Sequence, residues 1–145
     1  MKAARQSGFT LIELVVVITI LGILAAFAIP RFAALDQQAR IAARDALAGS
    51  VRSGAALAHA MWLAQNQPAQ IVMEGQTINI TNGYPILAHI GRTISDLPST
   101  GFNYTAATGV FARTGSFTTC TVTYAAPAAA NLPPTITLSP GATTC

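Results

Sequence analysis

Charge is scarce in this chain, and so are the side chains that do chemistry. Asp, Glu, Lys and Arg make up 9% of its 145 residues, and there are two histidines and two cysteines. His59 and His89 share no His-Glu-x-x-His spacing, and Cys120 and Cys145 form no Cys-x-x-Cys pair. The five acids are scattered, and no Gly-rich phosphate loop follows a strand-like segment. Metal-assisted hydrolysis, thiol exchange and nucleotide binding lack the residues they need, so neither an enzyme nor a cofactor is expected. His59, in a helical stretch, and His89, in a loop, read as ordinary structural or surface residues. No internal repeat is present.

What the chain has is apolar sequence. Gly8 to Pro30 reads GFTLIELVVVITILGILAAFAIP, behind a short leader carrying Lys2 and Arg5. From Phe9 to Ile29 the run is roughly 30 Å long as a helix at about 1.5 Å per residue, enough to cross a bilayer once. Composition leaves two readings open: a membrane anchor, or a secretory signal with small residues (Ala25, Ala26, Ala28) near its end. Glu13 is out of place in such a signal. A lone carboxylate in hydrocarbon costs about 3 kcal/mol or more unless it finds a partner.

Gly8-Phe9-Thr10-Leu11-Ile12-Glu13 resembles the processing site of type IV prepilins and of the related pseudopilins. The resemblance spans residues 1–35: a polar leader ending in Gly, then Phe, an acid five residues into the mature chain, an apolar run, and Pro at its end. The stretch from Pro30-Arg31-Phe32 through Leu35-Asp36 to Arg40 is similar to major pilins of the mannose-sensitive haemagglutinin type, of the type IVa class. By resemblance, an inner-membrane prepilin peptidase cuts between Gly8 and Phe9 and methylates the new Phe9 amine. Lys2 and Arg5 would hold the leader on the cytoplasmic side, and Gly8 would fit a tight protease subsite. Residues 1–8 are then a cleaved leader, 9–30 a hydrophobic membrane and filament-core helix, and 31–145 a globular head.

Cleavage bears on charge. The full chain is +3, with eight basic and five acidic residues; without Lys2 and Arg5, six basic residues face five acidic ones. Net charge therefore gives no support to DNA binding. Arg31, Arg40, Arg44 and Arg52 fall in one predicted helix with Asp36 and Asp45. They read as a solvated face with local pairs such as Asp36–Arg40, each contributing about 0.2–0.5 kcal/mol.

The fold expected is α+β: a long N-terminal helix over 9–65 on a small antiparallel sheet. Gly22 and Pro30 weaken that helix by about 1 and 3 kcal/mol relative to Ala, and a kink is expected near Gly22–Pro30. In the family's filaments the segment between two such positions tends to lose helicity. Past Pro30, Phe32, Leu35, Ala39, Ala42, Ala46, Leu47, Leu57, Met61 and Trp62 recur at helical spacing as an amphipathic core-facing stripe over 31–65, ending before Pro68. Ile71–Met73 and Thr77–Ile80 read as a hairpin around Glu74-Gly75. Residues 82–101 read as a loop, Val110-Phe111 as a short strand, Phe117–Tyr124 as the best strand, and Thr135–Leu138 as the last. On the extracytoplasmic side that the resemblance implies, Cys120 and Cys145 are expected to pair, restricting the unfolded chain by roughly 3 kcal/mol. Pilins resemble this in having a disulfide near the C-terminus. The sequons at Asn79 and Asn103 read as accidental.

The expected role is a major subunit of a type IV pilus: a homo-oligomeric helical filament serving adhesion, motility or DNA uptake, drawn from the inner membrane to the cell surface. An assembly ATPase and platform protein act on it indirectly, by resemblance. The expected assembly chemistry is Glu13 of a docked subunit neutralising the Phe9 amine of an incoming one. The rivals are a type II secretion pseudopilin, a minor pilin, and an inner-membrane protein that never polymerises. Major pseudopilins tend to carry an acid-rich calcium loop near the C-terminus, whereas no acid follows Asp96 here. Many priming minor pilins lack the acid that Glu13 represents.

Overall fold

A computed structural model describes residues 8–130, 132–140 and 145. Two compact units divide the chain, one ending at Gln38 and the other spanning Ala39–Cys145. One helix, α1 (Leu11–Ala64), runs through both, and Pro30 lies inside it. The helix is assigned without interruption across Gly22 and Pro30. In its first part Thr19 turns its hydroxyl back onto the Val15 and Val16 carbonyls at 2.7 and 2.9 Å, so its polar group is satisfied without a partner helix.

In the second unit, α1 carries two antiparallel sheets. Strands β1 (Gln70–Met73), β2 (Gln76–Thr81) and β3 (Tyr84–Pro85) form the smaller. Glu74 and Gly75 both have positive φ, 48° and 76°, as a two-residue primed turn requires. The turn places Met73 opposite Gln76 and Ile71 opposite Ile78. Ile71, Met73, Ile78 and Ile80 bury themselves with Ala58, and Met61 and Trp62 pack against them. The larger sheet is a meander of β4 (Phe102–Thr105), β5 (Val110–Arg113), β6 (Thr121–Ala125) and β7 (Thr135–Leu138). Alternation along β6 sends Val122 and Tyr124 inward. There they meet Phe102, Phe111, Ile90 and the helix residues Leu47, Ala48, Val51 and Ala55.

Several expectations need correction. The helix stripe is rotated: Phe32, Leu35, Ala39, Ala42, Ala46 and Leu57 are exposed, and the buried positions are Arg40, Arg44, Leu47, Ala48, Val51, Gly54, Ala55 and Ala58. The larger sheet takes the side of the helix with small residues because a close approach buries more of its own aromatics. Residues 82–101 are more ordered than a loop, holding β3 and the 3-10 turns Ile90–Thr93 and Leu97–Thr100. Buried tyrosines anchor that segment: Tyr124 donates to the Pro85 carbonyl at 2.8 Å, and Tyr104 donates to the Leu87 carbonyl. Desolvation pushes the Tyr104 hydroxyl up to about 12 and raises that of Tyr124 as well. The strand expected over Phe117–Tyr124 begins only at Thr121; before it the chain turns, with Cys120 N–H donating to the Phe117 carbonyl at 3.0 Å. Strand β4, beginning just after Gly101, was not expected.

Two glycines separate backbone geometry from simple space. Gly83 has φ +88°, and a Cβ there would lie 2.9 Å from His59 Nδ1. Gly49 is helical with open space around its Cβ position. Gly83→Ala is expected to lower stability by about 1–3 kcal/mol, and Gly49→Ala to raise it by up to about 1 kcal/mol. Urea unfolding of the detergent-solubilised chain reads both.

Candidate functional site

The start of α1 is where the apolar run meets its one acid. Gly8, Phe9 and Thr10 are exposed and non-helical, and α1 begins at Leu11. Thr10 and Glu13 bond reciprocally. The Thr10 N–H and hydroxyl both donate to Glu13 Oε2, at 2.9 and 2.7 Å, and the Glu13 N–H reaches Thr10 Oγ1 at 3.3 Å. This is a capping box, Thr-x-x-Glu, which satisfies donors that a helix start leaves unpaired. The carboxylate also sits in the first turn, where the helix dipole favours an anion. The sequence reading assigned Glu13 to another subunit and missed this local partner, although the Thr10–Glu13 spacing signals it. Both bonds that the carboxylate accepts go to one oxygen, Oε2.

From Phe9 onward the large apolar side chains face outward. Leu11 is 80% exposed and Phe27 76%. By length and composition this helix can cross a membrane: its most apolar 18-residue window has mean hydropathy 2.8, and none of that window is buried in the protein. Phe9, Ile12, Glu13, Val16 and Val17 line a shallow apolar hollow of about 390 Å³ around the acid. A Cβ at Gly8 or at Gly22 would meet nothing within 4 Å. Among the described residues, then, no packing contact requires either glycine. Lys2, Arg5 and the rest of the leader before Gly8 lie outside the described residues.

At the other end, Cys120 and Cys145 form a disulfide. Two arginines of α1 grip the segment it closes. Arg40 donates through Nε to the Cys145 carbonyl and lies 3.7 Å over the Phe117 ring. Arg44 donates to the Ser139 carbonyl and is paired at 2.7 Å with Asp45. Arg40 and Arg44 are 8% and 7% exposed. They are therefore not part of a solvated face, which corrects the reading of the four helix arginines; Arg31 and Arg52 are exposed as expected. A buried guanidinium is tolerable here because carbonyls, a carboxylate and a ring surround it.

The histidines are structural. The His59 ring meets the Gly83 carbonyl at 2.7 Å and stacks on Tyr84 at 4.4 Å. His89 accepts the Asn79 N–H at Nδ1, 2.9 Å away, and desolvation, then Arg92, hold its pKa below the usual histidine value. Among the described residues no cluster of three or more His, Cys, Asp or Glu could hold a metal.

A membrane-length apolar helix capped by one acid, continuing into a small disulfide-closed α+β head, defines a class. Residues 3–29 match the family described as the prokaryotic N-terminal methylation motif. The chain is 57% identical over 54 residues to the type IV narrow pilus major component PilA5 of Thermus thermophilus, covering 37% of this chain and 47% of that protein. It is 33% identical over 101 residues to the type IV major pilin protein PilE1 of Neisseria gonorrhoeae, covering 68% and 47%. Over 41 residues it is 51% identical to the type II secretion system core protein G of Pseudomonas aeruginosa, covering 28% and 29%. No solved structure matches. Over the stretches matched, the chain is similar to type IV pilins. It spans about half the length of the pilins it matches, at 47% of each.

Two outcomes follow from the head. Cys120→Ser with Cys145→Ser is expected to lower unfolding stability by about 2–5 kcal/mol, and Arg40→Ala in that background to cost less than in the oxidised protein, because the segment it grips is already loose. Denaturant titrations of the four proteins measure this. The depressed His89 pKa means that the unfolded chain binds more protons than the native one as pH falls through about 6.5. Stability is therefore expected to drop between pH 7.5 and 5. His89→Gln, whose amide oxygen can accept the same bond, is expected to flatten that drop in melting curves across the range.

Proposed function

We propose that this chain is the structural subunit of a type IV pilus, held in the inner membrane by its N-terminal helix and then polymerised into an extracellular filament. The observation that carries this reading is the uncovered apolar helix with one carboxylate at its start. Each large aliphatic side chain along it gains about 1.5–3 kcal/mol when removed from water. Lipid or the helices of other copies can supply that cover.

Processing fits the geometry. The Gly8–Phe9 bond lies in exposed, non-helical backbone ahead of Leu11, where a prepilin peptidase can reach it, and the Cβ position of Gly8 is open among the described residues. Cutting there creates an amine on Phe9, the expected site of methylation. Glu13 then has two duties. Oε2 keeps the cap with Thr10 while Oε1 receives the Phe9 ammonium of an incoming subunit, an ion pair made where an unpaired charge is costly. Gly22 and Pro30 make local melting of the helix inexpensive in the assembled fibre. The likeness to type II secretion core protein G supports a second reading, a pseudopilin. That similarity covers 28% of the chain, and the larger coverage by PilE1 favours the pilus.

Capping and charge pairing separate experimentally. Glu13→Gln can keep the cap, since Gln serves in a capping box, but it removes the charge. Expected for Glu13→Gln are normal leader removal and membrane insertion, with sheared filament yield down about tenfold or more; Glu13→Val is expected to fail similarly. If Glu13→Gln assembles like wild type while Glu13→Val fails, the acid is only a cap and the pairing is wrong.

A further inference from the structure

We infer that the head carries two complementary flanks, one acidic and one basic, and that it packs head to tail against a second copy of this chain, with Glu74 of one copy seated against Arg52 of the next. The inference rests on the filament reading above.

At about 100° per residue, the exposed helix residues Ala46, Ser50 and Ser53 lie on one side of the buried stripe, and Arg52 and Ala56 lie on the other. Each side borders a groove. The first, about 600 Å³, runs between the helix and the Glu74 and Ser95 turns. Its helix wall is small-chained (Ala46, Gly49, Ser50, Ser53) apart from Leu57, which is 55% exposed. Ser95 Oγ donates to Glu74 Oε2 at 2.6 Å, fixing the carboxylate at the rim. The groove continues past Asp96 and Arg92. Arg92 is already committed, donating to the Thr77 carbonyl at 2.9 Å. Two acids thus face one occupied base.

The second groove, about 220 Å³, is lined by Arg52, Ala56, Tyr84, Pro133 and Pro134 among others. Arg52 is exposed and has no ion-pair partner among the described residues. Asp45, one heptad earlier on the same side, is held by Arg44 at 2.7 Å. The basic flank therefore offers an available guanidinium beside a ring and two prolines, and the acidic flank offers a fixed carboxylate beside a closely approachable helix. The inferred contact joins unlike patches, one from each copy, and leaves each copy's other patch for a further neighbour. A contact between unlike patches repeats head to tail and, when it does not close, generates an open helix of copies. Charge complementarity also sets the register of such a contact.

Full-length Arg52→Glu, Glu74→Arg and the double charge swap, expressed in cells and sheared for filaments, test this. Processed precursor in the membrane and an intact disulfide report folding. Each single variant is expected to lower filament yield about tenfold, and the double swap to return it to within about threefold of wild type, the signature of a direct pair. Neutral Arg52→Gln and Glu74→Gln guard against misfolding. Wild-type filaments are expected to shed subunits as salt rises, and filaments of either neutral variant to respond to salt less steeply. Normal filaments from all single variants, or no rescue in the swap, overturn this contact and leave the filament reading standing. If wild type forms no filament, both fall.

Discussion

The bonds between Thr10 and Glu13 sit at the head of a helix whose next turns present Val15, Val16, Val17, Ile18, Ile20 and Leu21 to the surroundings. That surface cannot be left in water. At about 25 cal/mol per Å², hiding it outweighs most other terms in a protein of this size. None of the apolar window is buried. The cover must come from outside; in the function proposed above it is first lipid and then other copies. An acid kept at the edge of such a surface is costly in either setting unless it is bonded, and the cap supplies the first of its bonds.

The head packs its sheets on one face of its own stretch of α1. Its sheets approach α1 along Ala48, Ala55 and Ala58, the small side chains, so the larger Leu57 stays outside. The C-terminal segment is locked from two directions, covalently through Cys120–Cys145 and electrostatically through Arg40 and Arg44. Two buried guanidiniums are an expensive way to hold this segment, and they are tolerable because each donates to one of its backbone oxygens.

The stalk was legible in the sequence because its signals are local: an unbroken apolar run, Gly8-Phe9 before it, Glu13 within it. The hairpin around Glu74-Gly75 was legible for the same reason, since two residues with positive φ fix its register. The helix stripe was not. In an Ala-rich helix several faces are equally apolar, and the choice among them is made by the sheet, which lies far away in sequence. Arg40 and Arg44 were misread because a guanidinium is solvated by default, and only the carbonyls of Ser139 and Cys145, about a hundred residues on, make burial tolerable. The Thr10–Glu13 cap was present as Thr-x-x-Glu and was overlooked, because a carboxylate in an apolar run draws attention to distant partners before near ones.

Central to the function proposed above is the exchange of lipid for other copies along the helix that starts at Phe9. The most direct test is electron microscopy of filaments sheared from the cell surface, with N-terminal sequencing of their main band. Filaments whose subunit begins at an N-methylated Phe9 are the predicted result. Cells without filaments, and mature chain that stays singly dispersed in the inner membrane under every condition, would contradict it.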